Sequence, residues 1–309
     1  MTWLKPFRAF LFMCACCSLV AGKAGAADTQ SGDIRPAILA GSWYAASAET
    51  LTRNIRGYLE GADTPSLDGD LKGIVTPHAG HIYSGHVAAH AYRLLETRSF
   101  KRVVMIGPSH RVRFRGASVN LQSGYRTPLG VVPVDLDAAR KIAGASPEIQ
   151  WVPKAHAAEH SLEIQLPFLQ TVLKQFQIVP ILMGRQDMAT CAALSDALVK
   201  ILGKSSDTLI LASTDLSHFH TSKEAKVLDT RFAERVRNFD PHGLARDLGA
   251  GVCEACGGGP VITMLLTVKQ MGADRIRILD YADSGAVTGD HRRVVGYLSA
   301  AAFKKRGPQ

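Results

Sequence analysis

RVVMIGPSH, residues 102–110, starts on a charge, runs through four apolar residues and breaks on Gly-Pro. A strand with one wet face alternates apolar and polar residues, whereas a strand covered on both faces reads as a continuous apolar run. Arg102–Ile106 is of the second kind, and it delivers the chain to His110 four residues later. The pattern recurs on either side. Gly73–Thr76 runs into TPHAGHIYSG, residues 76–85, with His78 two positions beyond the strand. Thr208–Ala212 runs into STDLSH, residues 213–218, which carries Asp215 and His218. Between these runs the apolar residues take helical spacing. Leu51, Ile55, Tyr58 and Leu59 follow a capping Ser47, and Leu194, Leu198 and Ile201 follow Asp187. Ser161–Phe176 carries Leu162, Leu166, Leu169 and Leu173 on one helical face, with Pro167 marking a kink or a restart. Further helices are expected from about Gly85 to Leu95 and over Pro260–Met271, and closing strands over Arg277–Asp280 and Val294–Ala300. Continuous apolar strands alternating with amphipathic helices specify one α/β domain with a sheet covered on both faces.

The chain has 309 residues, 46% of them apolar and 20% charged, which excludes an unfolded polyelectrolyte. Its formal charge is +9, but no dense Lys/Arg run interleaves with aromatics, so nucleic acid is not an expected partner. The first residues read as a leader. MTWLKPFR is basic, AFLFMCACCSLVA is a short apolar run, and Ala24-Gly25-Ala26 has the small residues of a cleavage site. A signal peptide over residues 1–26, an unstructured segment over 27–34, a domain over 35–303 and a short tail over 304–309 are therefore expected. Cleavage would remove Lys5, Arg8 and Lys23 and no acidic residue, taking the charge from +9 to +6. The expected location is the periplasm, with no stable membrane span once the leader is gone. A lipoprotein anchor through Cys16 or Cys17 is disfavoured, because both lie inside the apolar run. Three cysteines then remain: Cys191, Cys253 and Cys256.

In open α/β sheets, ligands bind beyond the carboxyl ends of the strands. If the three runs are parallel neighbours, His78, His110, Asp215 and His218 converge on one crevice. A fourth piece is ACGGGP, residues 255–260, where Pro260 suits the first turn of a helix and places Cys256 near its N-terminus. The positive end of the helix dipole favours a thiolate there. Two imidazoles and one anion make a metal shell that suits non-haem iron when positions stay open, and zinc or copper when the anion is sulfur. Asp215 serves as a further ligand or an orienting partner, and His218, if unligated, is placed for acid–base work. His156 and His160 flank Glu159 and either enter the site or begin the following helix. No G-x-S-x-G elbow, P-loop or G-x-G-x-x-G is present.

GSWYAAS, PHAGHIYSG, IGPSH, YRTPLG, EHSLEIQLPFL, STDLSH and ACGGGP stand in the order seen in the Memo family, called AmmeMemoRadiSam system protein B in bacteria and archaea. The chain resembles that family from Arg35 to Phe303. The family is similar in fold to class III extradiol ring-cleaving dioxygenases, which implies a mixed, mostly parallel sheet between helical layers. In those dioxygenases two histidines and a glutamate hold Fe(II), and in the Memo family a cysteine stands in the place of the glutamate. Carried over, the resemblance implies His78, His110 and Cys256 as metal ligands, with Asp215 and His218 as the acid–base pair. It implies iron first, and copper or zinc as alternatives, acting in redox chemistry on a small molecule. Two other functions fit the same residues: a non-catalytic module that holds a peptide or small ligand, and a zinc-dependent hydrolase. The chain departs from the family expectation in its leader and in Cys253, which could pair with Cys256 or share a soft metal with it.

Overall fold

The computed structural model describes residues 34–63 and 66–306. The expected leader, and all but the last residue of the segment expected after it, lie outside the described residues. In chain order the elements are β1 (Ile34–Arg35), α1 (Ala48–Gly61), β2 (Gly69–Thr76), α2 (His81–Arg93), β3 (Arg102–Pro108) and β4 (Ala117–Val119). Next come β5 (Gly124–Thr127), β6 (Gly130–Pro133), α3 (Leu136–Ala143), β7 (Ile149–Gln150) and α4 (Pro153–Ala157). A 3-10 turn over Glu163–Gln165 leads into α5 (Leu166–Val172), followed by β8 (Gln177–Met183), α6 (Met188–Leu202), β9 (Thr208–Ser213) and β10 (His218–His220). The chain closes with α7 (Ser222–Arg237), α8 (Pro241–Gly249), α9 (Gly258–Gln270), β11 (Arg275–Asp283), α10 (Gly285–Thr288) and β12 (Val294–Lys305).

The main sheet runs β10-β12-β2-β9-β3-β8-β4-β7, with β11 also paired to β12. Its centre, β2-β9-β3-β8, is parallel, and β12 and β4 flank it antiparallel. The fold is thus the mixed, mostly parallel α/β sheet expected. The three apolar runs are buried along most of their length because helices cover both faces. α1, α2 and α5 pack together on one side, and α6, α8 and α9 on the other. A small second sheet, β1-β5-β6, braces the N-terminal end of the domain.

Local chemistry sets most boundaries. Ser47, Asp187 and Thr221 cap α1, α6 and α7, each side chain accepting an N–H of the first turn. Pro167 is a restart rather than a kink: the 3-10 turn ends and α5 begins around it, where its missing N–H costs nothing. α2 starts at His81, four residues before the expected point, on a Gly80 N-cap that lacks a capping side chain. α9 begins at Gly258, two residues before the expected start, so Pro260 is its third residue and still lies in the first turn. Ile34, the last residue of the segment expected to be unstructured, pairs with Gly124. β12 carries on through Lys305, two residues into the expected tail.

Candidate metal centre

Because β9 lies between β2 and β3, the tips of all three strands are neighbours. Thr214 N–H donates to Thr76 O, and His78 N–H donates to Asp215 Oδ1 at 2.6 Å. Pro77 ends the strand geometry, and its carbonyl accepts Gln165 Nε2 at 2.9 Å. His78, buried at 1% exposure, therefore has its backbone clamped by two side chains from other elements. His110 follows β3 in the same way: its N–H donates to Glu159 Oε2 at 2.6 Å.

The ring protons can be assigned by counting donors. Ser213 has one hydroxyl proton, and it goes to Ser161 O at 2.6 Å. The same oxygen accepts Gln165 Nε2 at 2.8 Å, so the contact with His78 Nδ1 at 2.9 Å is a donation from the ring. His110 Nδ1 meets the Glu159 carboxylate at 2.9 Å, an acceptor, so it too carries the proton. His218 Nδ1 meets Leu216 O at 2.7 Å, with the same result. In all three rings Nε2 is left with a lone pair. Burial, then the neighbouring imidazoles, hold His78 well below the usual histidine range, and burial also lowers His218.

His160 completes the cluster. Its ring stacks on His110 with centroids 4.4 Å apart and lies 5.4 Å edge-on from His78. One ligand atom from each of His78, His110 and His160 falls within a span of 4.8 Å, close enough for a single ion to touch all three. His160 Nδ1 is buried and forms no hydrogen bond among the described residues, although Glu159 Oε1 lies 3.2 Å away, so it is a polar atom that a cation would satisfy. Trp43 packs against the other side of the ring at 4.6 Å. Burial outweighs the attraction of Glu159 and brings the His160 ring down to about 4, so it is a neutral donor at ordinary pH. Three imidazoles facing one point, that of His78 buried, that of His160 partly so and that of His110 exposed, fit a transition-metal ion.

Cys256 reaches the cluster through His78, its Sγ 3.0 Å from His78 Nε2; the 4.8 Å imidazole group does not include it. Its loop is tied to the end of β9. Cys256 N–H donates to Asp215 O at 3.2 Å, Asp215 N–H points at Cys256 Sγ at 3.3 Å, and Gly257 N–H donates to Thr214 Oγ1. A Cβ on Gly257 would stand 2.3 Å from Ser213 O, so only glycine permits this approach. The expected thiolate is not what the apoprotein favours: burial, then the charge of Asp215, push the thiol up despite the helix N-terminus. Cys253 and Cys256 are both free thiols, and Cys253 is buried. Asp215 is buried as well, and burial pushes its carboxyl up to about 7.

A cavity of about 490 Å³ opens over the imidazoles, lined by Trp43, Tyr83, His110, His160, Asp215 and His218 among others. A second, of about 730 Å³, reaches Cys253, Cys256 and His218 from the α8–α9 side. The sequence reading therefore placed His78, His110, Asp215, His218 and Cys256 around one point, and it left His160 undecided. Glu159 and Gln165 lie in EHSLEIQLPFL and Ser213 in STDLSH, but nothing in those motifs marks them as the residues that orient the rings.

The model of the family described as Memo-like protein matches residues 35–301. This chain belongs to the Memo-like family. A MEMO1 family protein of Thermotoga petrophila is 38% identical over 282 residues, covering 87% of this chain and 99% of the relative. Those of Methanopyrus kandleri and Methanosarcina mazei are each 36% identical, covering 88% and 86% of this chain and 99% and 98% of the relatives. A solved structure of an uncharacterized protein from Escherichia coli K12 aligns with a TM-score of 0.49 at 12% identity, over 75% of this chain and 99% of that one. Among the described residues, no helix is long and apolar enough to cross a membrane.

Proposed function

We propose that this Memo-like chain is an exported metal protein, with a non-haem centre held by His78 and His110 and closed by Cys256 or His160, that oxidises a small substrate. One observation carries the reading: His78 and His110 both have the proton placed on Nδ1, which leaves the Nε2 lone pairs for the cluster, where a third imidazole and, 3.0 Å from His78 Nε2, the Cys256 thiol stand. Two imidazoles plus one further donor leave positions open, which suits Fe(II) first and copper next if the thiol of Cys256 loses its proton and binds. A bound iron or copper ion would supply electron transfer and a Lewis acid beside the cavity. The protein's own contribution is easier to name. The cavity of about 490 Å³ accepts a small molecule, with Trp43 and Tyr83 as apolar walls. His218 presents a free Nε2 to that cavity and takes or returns a proton there. Asp215 fixes the His78 backbone, and its carboxyl, titrating near neutrality, is the second proton-transfer group.

Protein purified from its native compartment without added metal is expected to hold close to one equivalent of iron or copper. Full occupancy in the His78→Ala, His110→Ala double variant would overturn the reading. A substrate analogue that binds equally well after chelation, with no oxidation by O₂, would favour a ligand-binding module instead. Export is supported by the leader-like first 26 residues, and is checked by the N-terminal residue of the mature chain.

A further inference from the structure

Glu159 stands beside the imidazole cluster at 2% exposure, its Oε1 3.2 Å from His160 Nδ1, and it touches neither His78 nor the Nε2 of His110. Its Oε2 accepts the His110 amide at 2.6 Å. Its Oε1 accepts His110 Nδ1 at 2.9 Å, the His160 amide at 2.9 Å and the Ser161 amide at 3.0 Å. Four N–H donors surround one carboxyl group, and none of these contacts offers an acceptor for a carboxylic proton, so the group sits there as an anion. The residue is anchored from the rear too. Arg35 Nη2 donates to Glu159 O at 2.6 Å, and Arg35 Nε donates to His156 O at 2.6 Å. Arg35 is in turn fixed by Glu163.

We propose that Glu159 is the positioning residue of the metal centre, acting through His110 and His160 rather than on the metal. The inference rests on the metal reading above. Three consequences follow from the contacts. The His110 ring is held in one rotamer and one tautomer, with Nε2 toward the cluster. The His160 ring is set because its own amide and the next one are bonded to the same oxygen. A buried negative charge lies one imidazole away from the cation site, and it offsets part of the cation's charge where the imidazole ligands are neutral. Outer carboxylates of this kind make a coordinated imidazole a stronger donor, and their loss typically weakens metal binding by about 10–100-fold.

The test compares wild type, Glu159→Gln and Glu159→Asp by competition of Co²⁺ against a chromophoric chelator at one fixed pH. The Co²⁺ ligand-field spectrum and the unfolding of the metal-free protein are recorded alongside. Gln keeps the shape but loses the charge, and it turns an N–H₂ toward N–H donors. Its Co²⁺ affinity is expected to fall by about 10–100-fold, with a changed ligand-field spectrum. Asp keeps the charge with a shorter reach and is expected to recover part of the affinity. Unchanged affinity and spectrum in Glu159→Gln would overturn the inference, and so would a loss confined to metal-free stability. Should Glu159→Gln not fold, Glu159→Asp decides: weaker binding with an altered spectrum supports the role, and wild-type behaviour overturns it. A wild-type protein that takes up no Co²⁺ overturns the metal reading, and this inference with it.

Discussion

His110 and His156 are both histidines beside Glu159, and they are finished differently. His156 uses both ring nitrogens: Nδ1 meets Tyr125 OH at 3.1 Å and Nε2 meets Ser118 Oγ at 3.0 Å. Burial drops its pKa to about 3, and nothing of it is left over for chemistry. His110 uses one nitrogen on Glu159 and leaves the other open beside two more imidazoles. The lesson is that burial and a displaced pKa do not mark a functional histidine. An unspent nitrogen beside other unspent donors does.

The widest gap between the two settings should appear in metal content. Replacing His78 and His110 with Ala is expected to empty the centre, while His156→Gln leaves stoichiometry unchanged and costs stability alone. Elemental analysis of the variants, purified in parallel, makes the comparison; metal lost from His156→Gln would break it.

The support shared by both histidines comes next. Arg35 and Glu163 form an ion pair at 2.5 Å, with 1% and 0% side-chain exposure, and Glu163 also accepts the Leu39 amide and Tyr44 OH. Removing one partner strands a buried charge, at a cost of about 3–5 kcal/mol. Glu163→Gln is expected to lose that much in chemical denaturation. A loss under about 1 kcal/mol would mean that water reaches Arg35.

Protonation separates the two settings further. His156 has its folded pKa depressed to about 3, below the ordinary 6.5. Between those values the unfolded chain binds the proton and the folded chain does not, so stability is full above about pH 6.5 and falls as pH drops toward 3. The span of some 3.5 units is worth roughly 3–5 kcal/mol. Asp215 opposes it, because its raised folded pKa makes stability fall as pH rises between about 4 and 7. The stability advantage of wild type over His156→Gln should therefore shrink as pH falls from 7 to 4.

These contrasts also explain what was legible in the sequence. Continuous apolar runs announced β2, β3 and β9, and the residues after them announced His78, His110, Asp215 and His218, because strand burial is a local pattern. That the three strands are parallel neighbours was a condition the runs left open, and the sheet order β2-β9-β3 meets it. What stayed hidden is non-local. Arg35 and Glu163 are separated by 128 positions, and nothing near either one predicts the other. β5, β7 and β10 are two to four residues long and hold through their partners rather than through propensity. The entry of His160 depends on the 3-10 turn after it, which neither a helical nor a strand period encodes. The Cys256 thiolate was expected from the helix N-terminus alone, and burial is the larger effect.

A smaller effect sharpens the tautomer argument. Ser213→Ala removes the acceptor that keeps the proton on His78 Nδ1, and it also strips a partner from Gln165 and from Ser161 O. Metal affinity is expected to fall about tenfold, with stability lower by about 1–3 kcal/mol. Ser213→Thr keeps the hydroxyl, so equal metal loss in both variants would show that crowding, not the proton, controls His78.

The least costly difference lies at the edge of the site. Phe219 follows His218 with φ at 65°, a left-handed backbone that a bulky side chain rarely adopts. The residue is 64% exposed, and its ring packs edge-on to His218 at 5.7 Å with the Arg293 guanidinium over it at 5.2 Å. Burial therefore does not explain why the strained residue is a phenylalanine; its contact with His218 does. Glycine adopts this backbone without strain, so Phe219→Gly should gain up to about 1 kcal/mol from the backbone and lose up to about that much with the cation–π contact. Net stability is expected to stay within about 1 kcal/mol of wild type, while turnover, once a substrate is known, falls as the His218 ring loses its neighbour. A variant that is equally stable and equally active would show that Phe219 does not hold His218.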